Sequence, residues 1–206
     1  MKKLILLSIM LMSAFGQLKF SEFKFGKLNP EGTKSGFWGT FSSGKMFDAN
    51  LGYNIELGYF GKRFTEEETV GTKSTQNSDI VTKKVTLTTS TTMIPVLFKF
   101  NYVKEIGTSA LFKSDLGIGY SFFWDSYDNK ENSISDTRFF SGFTWQVGAD
   151  VGLQISSKGS VFAGLFYNGG TVTNGDEINN VPVYDEIDMK GLGFRLTIRV
   201  DGLGIL

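Results

Sequence analysis

The chain has 206 residues, with 21 Lys and Arg balanced by 21 Asp and Glu, so no basic excess draws it to nucleic acid. It contains no cysteine, which excludes disulfides and thiolate chemistry, and no histidine, which removes the commonest general base and metal ligand. Gly at 25 and Phe at 20, with Pro at only 3, suit many regular strands joined by turns.

The first element is a secretory signal. Lys2 and Lys3 precede an apolar run, Leu4–Phe15, that is too short to span a bilayer as a helix. Ala14 and Gly16 are small residues at the −3 and −1 positions of a cut before Gln17. Residues 1–16 are therefore expected to be a cleaved signal peptide, and residues 17–206 a single domain. Without Lys2 and Lys3, 19 basic residues stand against 21 acidic ones, a net charge of −2. No later run of about 18 apolar residues predicts a helical membrane span.

Eight strands follow, each with period-two alternation. The first, Leu18–Lys27, slips phase between Phe20 and Phe23, which predicts a bulge or a late start. The second is Ser35–Ser43. The third, Ala49–Phe60, sets Leu51, Tyr53, Ile55, Leu57 and Tyr59 against Asn50, Asn54, Glu56 and glycines. The fourth, Lys84–Val103, ends with Ile94, Val96, Phe98 and Phe100 opposite Lys99 and Asn101. The fifth, Ala110–Phe123, opposes Leu116, Ile118, Tyr120 and Phe122 to Asp115, Gly117 and Gly119. The sixth, Arg138–Ile155, opposes Phe143, Trp145, Val147 and Val151 to Thr144, Gln146 and Asp150. The seventh is Ser160–Gly169. The eighth, Tyr184–Val200, ends in "GLGFRLTIRV", where Leu192, Phe194, Leu196 and Ile198 alternate with Gly193, Arg195, Thr197 and Arg199. A hairpin centred on Gly107 sets Lys99 opposite Asp115, and one centred on Lys158 sets Val151 opposite Leu165.

The links differ in length by side. Gly44–Asp48, Lys104–Ser109 and Ser156–Gly159 are short. Gly61–Lys83, Trp124–Thr137 and Gly170–Val183 are long and polar, and Leu28–Lys34 carries the turn signal "NPEG". With the N-terminus in the periplasm, every short link is periplasmic and every longer one external, the pattern of an outer-membrane barrel. Trp38, Tyr59, Phe60 and Trp124 near the outer strand ends, with Tyr102 and Phe112 near the inner ones, are expected at the two membrane interfaces.

The strands "GFTWQVGADVGLQI" (142–155), "IPVLFKFNYV" (94–103) and "GLGFRLTIRV" (191–200), with the signal peptide, resemble small bacterial outer-membrane β-barrel proteins of the OmpA/OmpX-like type. The likeness spans nearly the whole mature chain. It implies an all-β fold: an eight-stranded antiparallel up-and-down transmembrane barrel, in contact with outer-membrane lipids and inserted by the outer-membrane assembly machinery. Such barrels often close their last strand on an aromatic residue, whereas this chain continues as "DGLGIL".

An eight-stranded barrel has an interior just wide enough for side chains. Parity points Glu56, Lys99, Asp115, Asp150, Arg195 and Arg199 inward, three acids against three bases, and such charges must pair or bear a desolvation cost of several kcal/mol each. The expected result is a self-satisfying polar plug. Gly117, Gly119, Gly148, Gly152 and Gly193 leave gaps, which keeps open a narrow channel or a small-molecule-binding barrel. A soluble lipocalin-like barrel with its apolar face inward is a further alternative.

Resemblance to outer-membrane enzymes (lipid A acyltransferases and deacylases, phospholipase, aspartyl-type proteases) would require a histidine, so no catalytic set is expected. The loop acids Glu66–Glu67 and Asp185–Glu186 read as solvated surface. "GIG" (117–119) and "GLG" (191–193) lie within strands and carry no nucleotide-binding weight. "TEEET" (65–69) has no spacing that fixes a metal geometry, so neither cofactor nor metal is expected. The exposed links 61–83, 124–137 and 170–183 are the expected places for a surface ligand. "TLTTSTT" (86–92), polar at both parities, is expected to rise above the membrane.

Overall fold

A computed structural model describes residues 19–75, 78–129, 133–178 and 181–203. The signal peptide and the start of the first expected strand lie outside them. Nine strands follow in order: β1 Lys19–Pro30, β2 Gly36–Met46, β3 Leu51–Thr75, β4 Ser78–Glu105, β5 Ala110–Asn129, β6 Ile134–Ser156, β7 Gly159–Ile178, β8 Val181–Asp188 and β9 Gly191–Asp201. All pairings are antiparallel, and β1 pairs with both β2 and β9, so the sheet closes on itself.

The closure has eight staves. The eighth is β8 and β9 together, so the single strand expected over 184–200 is interrupted at Met189–Lys190. The cause is local. Opposite the break, Gly170 takes a φ of 144°, which L-residues rarely adopt. Its carbonyl accepts the Met189 N–H, while the Met189 carbonyl turns to the Asn168 amide at 2.9 Å.

The register fixes the barrel's shape. The chain of facing residues Phe20, Gly44, Asn54, Lys99, Gly117, Gln146, Asn168 and Gly191 returns to β1 at Pro30, ten residues above Phe20. A stagger of ten over eight staves, with ordinary strand spacings, corresponds to a tilt of about 40°.

Several sequence expectations need correcting. The β1 ladders run without a register shift, so there is no bulge. Of the three phenylalanines, Phe20 points inward with Glu22 and Lys24, and Phe23 and Phe25 face out. Both hairpins are offset by two residues. Lys99 faces Gly117, and Val151 faces Ala163. A two-residue offset leaves every side chain on its expected face, which is why parity did not reveal it. The links expected over 61–83, 124–137 and 170–183 are mostly strand. The β3–β4 ladder reaches Thr75 opposite Ser78, β5 runs to Asn129 and β7 to Ile178. Beyond the membrane both faces of a ribbon meet water, so a strand needs no apolar stripe, and Thr- and Val-rich stretches still favour it.

Trp38 and Phe60 belong to the lumen rather than to an interface, because each shares parity with inward residues of its own strand. The outward rings toward the external end include Trp124, as expected, with Tyr59, Tyr120, Trp145 and Tyr167, the last two with centroids 5.6 Å apart. The solvent on each side is read directly from exposure. Arg195 is 1% exposed and Leu196 43%. Phe100, Leu116, Phe143, Val151 and Leu165 are likewise exposed outward. An apolar band around nearly the whole circumference matches hydrocarbon, which sets aside the lipocalin-like alternative.

Candidate functional site

The lumen is built in three tiers. At the periplasmic end Phe20, Leu111 and Phe162 are buried, and the Arg199 guanidinium lies 4.0 Å over the Phe20 ring. Arg199 also donates to Asp201 at 2.9 Å.

Above this lies a string of eight alternating charges. Lys113 meets Glu22 at 2.6 Å, and Glu22 meets Lys24 at 3.1 Å. Lys24 meets Glu56 at 2.5 Å, and Glu56 meets Lys99 at 2.8 Å. Lys99 meets Asp115 at 3.3 Å. Asp115 contacts Arg195, whose Nε and Nη2 donate to the two oxygens of Asp150 at 2.9 and 2.8 Å. All eight side chains are buried, and four acids offset four bases. They come from β1, β3, β4, β5, β6 and β9, and they can touch only because the barrel is narrow enough for charges on different walls to meet.

The structure thus places five of the expected residues, Glu56, Lys99, Asp115, Asp150 and Arg195, in one string, with Arg199 just below, 3.7 Å from Glu22. Lys99 and Asp115 meet diagonally rather than across the ladder, since the facing residue is Gly117. A Cβ there would lie 2.6 Å from Lys99 Cγ, so the glycine makes room for the lysine stem. Sequence reading missed Glu22, Lys24 and Lys113. Lys113 shares parity with Asp115, and extending that phase by one step finds it. Glu22 and Lys24 were hidden by the assumed slip around Phe20.

The glycines do not leave gaps. A Cβ on Gly148 would fall 2.2 Å from Arg195 Nη2, and one on Gly152 or Gly193 would fall 2.4 Å from Phe162 or Phe166. Gly117, Gly148, Gly152 and Gly193 are each the floor on which a large side chain from another wall rests, while Gly119 lies against the backbone of Val96 and Leu97.

The external tier is apolar. Leu28 and Phe60 stand two inward positions above Lys24 and Glu56, and Trp38 packs on Phe166 with centroids 5.4 Å apart. Met93, Phe123, Phe140, Val172 and Met189 complete a buried cluster. Above it opens a cup of about 560 Å³ with Phe140 and Ile187 at its floor. Its rim carries Asp125, Asp136, Asp185 and Glu186 against Arg138, which bridges Asp185 at 2.9 Å and Asp136 at 3.3 Å. The cup falls on one of the segments expected to hold a surface ligand, 124–137; its other wall, Asp185 to Ile187, lies past the end of the second, 170–183. For the third, 61–83, the backbone ladder is described, and it forms a two-stranded ribbon above the barrel. Among the described residues no three carboxylates come together to hold a metal ion.

Both ends are pinned by exposed carboxylates. In the periplasmic turn the Asp48 carboxylate accepts the Asn50 and Leu51 N–H groups at 2.7 Å each, which holds it below the usual carboxylate range. At the outer rim Lys190 donates to Asp188 from its ammonium and its backbone, lowering the acid and raising the base.

No protein-family model and no curated protein matches the sequence. Among solved structures, a major outer membrane protein from Thermus thermophilus is similar over 90% of this chain and 99% of that one, with a TM-score of 0.59 and 12% identity. Neisserial surface protein A is similar over 90% and 96%, with a TM-score of 0.51 and 14% identity. At such identities the likeness is one of fold. The chain has the fold of the small outer-membrane β-barrels, the class its sequence resembles.

Proposed function

We propose that this chain is a non-enzymatic protein of the bacterial outer membrane, exported by its signal peptide and inserted by the assembly machinery, whose lumen is a structural plug and whose external end is an interaction surface. One observation carries the reading: a continuous apolar cluster lies between the charge string and the external cup. A solute arriving from outside meets a floor. An ion would have to shed water across Leu28, Trp38, Phe60 and Phe123 and then compete with pairs already 2.5–3.3 Å apart. The cup and the ribbon above it are then the parts that the outside encounters, and the acid excess of the cup favours partners with positive charge. The catalytic reading has no histidine base to work with.

Reconstitution tests the proposal. In planar bilayers the wild type should be electrically silent, while Trp38→Ala with Phe123→Ala should open a measurable conductance by hollowing the apolar tier. A steady, ion-selective conductance in the wild type would favour a narrow channel instead. Recovery of the mature chain as a soluble periplasmic species after a carbonate wash would remove the membrane reading altogether.

A further inference from the structure

The outward face is apolar around nearly the whole barrel, with one break toward the external end of β1. Lys27 lies on that face, exposed, and its ladder neighbours on either side are Phe37 and Phe194. These rings are 56% and 54% exposed, so the lysine sits between two lipid-facing aromatics. Among the described residues its ammonium has no hydrogen-bond or ion-pair partner. A lysine on the lipid face costs about 2–4 kcal/mol at the midplane and about 0–1 near the interface, so its placement near the headgroups with no acid beside it calls for an anion from outside the chain.

A shallow groove of about 230 Å³ runs past this lysine. Its upper part is mainly polar, with Ser35, Asn29 and Lys27, Leu192 standing across the ladder from Asn29. Its lower part is apolar, with Phe194 beside Lys27 and Leu165 beyond it. Polar above and apolar below, on a surface facing lipid, is the profile of an amphiphile standing upright in the outer leaflet.

The geometry points to a lipid site: the groove holds an anionic, phosphate-bearing lipid of the outer leaflet, its phosphate on the Lys27 ammonium and its acyl chain along Phe194 and Leu165. The inference rests on the membrane reading above and adds one occupied position to it. A single lysine near a membrane surface favours an anionic headgroup by about fivefold.

Wild type and variants refolded into nanodiscs of mixed phosphatidylglycerol and phosphatidylcholine, then released for native mass spectrometry, test this. The wild type should retain phosphatidylglycerol about fivefold over its share of the bilayer. Lys27→Gln should bring that ratio to near one and Lys27→Arg should keep it. Lys45→Gln, an outward lysine at the periplasmic rim, should leave it unchanged. Equal retention of both lipids by the wild type, an unchanged ratio in Lys27→Gln, or loss of the bound lipid to millimolar inorganic phosphate would overturn the site while the folded barrel remained. Failure of the wild type to insert into either bilayer would overturn the membrane reading, and the groove with it.

Discussion

Arg195 offers the sharpest test of the lumen. It is 1% exposed, it grips Asp150 with two donors at 2.9 and 2.8 Å, and it also contacts Asp115. Its two acids are not equally dependent on it. Asp115 keeps Lys99 at 3.3 Å when Arg195 is removed, whereas Asp150 has no other cation within salt-bridge distance among the described residues. Arg195→Ala therefore strands one buried carboxylate, and breaking such a pair from one side costs about 3–5 kcal/mol. Asp150→Ala leaves the guanidinium its contact with Asp115 and forfeits mainly two charge-assisted hydrogen bonds, about 1.5–3 kcal/mol each before relaxation. The double variant should recover part of the loss, because no charge is left without a partner, with a coupling of about 1–3 kcal/mol. Reversible urea unfolding from lipid vesicles, followed by tryptophan fluorescence, measures all three. Effects that add to within about 0.5 kcal/mol would show that the two side chains do not meet, and the string would lose its last link.

Other consequences are as specific. Gly148→Ala should cost about 1–3 kcal/mol, since the new Cβ must push Arg195 from its seat 2.2 Å away, whereas Ala149→Gly on the outward face should stay within about 1 kcal/mol. The chain has no cysteine, so single labels are clean. On intact cells Ser133→Cys, in the external β5–β6 connection, should react with a membrane-impermeant maleimide, and Lys158→Cys in a periplasmic turn should not, the reverse pattern refuting the topology. The Asp48 carboxylate is depressed in the folded state, so its support of the β2–β3 turn is complete above the ordinary carboxylate range and is lost as pH falls through its lower folded value. Hydrogen-exchange protection at Asn50 and Leu51, taken relative to the intrinsic rate at each pH, should fall over that acidic window in the wild type and be independent of pH in Asp48→Ala.

What the sequence made legible was parity. Each side chain of β3, β5, β6 and β9 within the barrel lies on the face its alternation assigns, because hydrocarbon outside and charge inside penalise a one-residue slip at every position. What it concealed was register, because a two-residue slip carries no such penalty. The offset in both hairpins is set by turn geometry, which the hydrophobic pattern does not encode. Aromatic residues were the other blind spot. Residue type suggests interface rings at Trp38 and Phe60 and a break in phase at Phe20, yet all three obey the parity of their strands. Taking Phe20 as inward would have brought Glu22 and Lys24 into the lumen and completed the string. The long ribbon of β3 and β4 was hidden for a different reason: outside the membrane both faces are wet, so no periodicity marks a strand.

The lumen is closed twice, by unlike means, and the two closures constrain the chain differently. The charge string must stay neutral. Its inner members have partners on other staves, so a single loss is felt by several strands at once, and the glycines beneath Lys99 and Arg195 are held as tightly as the charges themselves. The apolar tier asks only for volume, which many combinations of Leu, Met and Phe can supply. Above that tier the ribbon carries its own ladder and the cup is open, so substitutions there leave both closures undisturbed. If the external end is the interaction surface proposed above, the barrel separates stability from recognition along its axis. Swapping residues 62–75 and 78–91 for those of an unrelated ribbon should therefore alter surface binding while leaving the urea midpoint nearly unchanged. A large drop in that midpoint would show that the ribbon is part of the barrel's stability rather than its outward-facing tool.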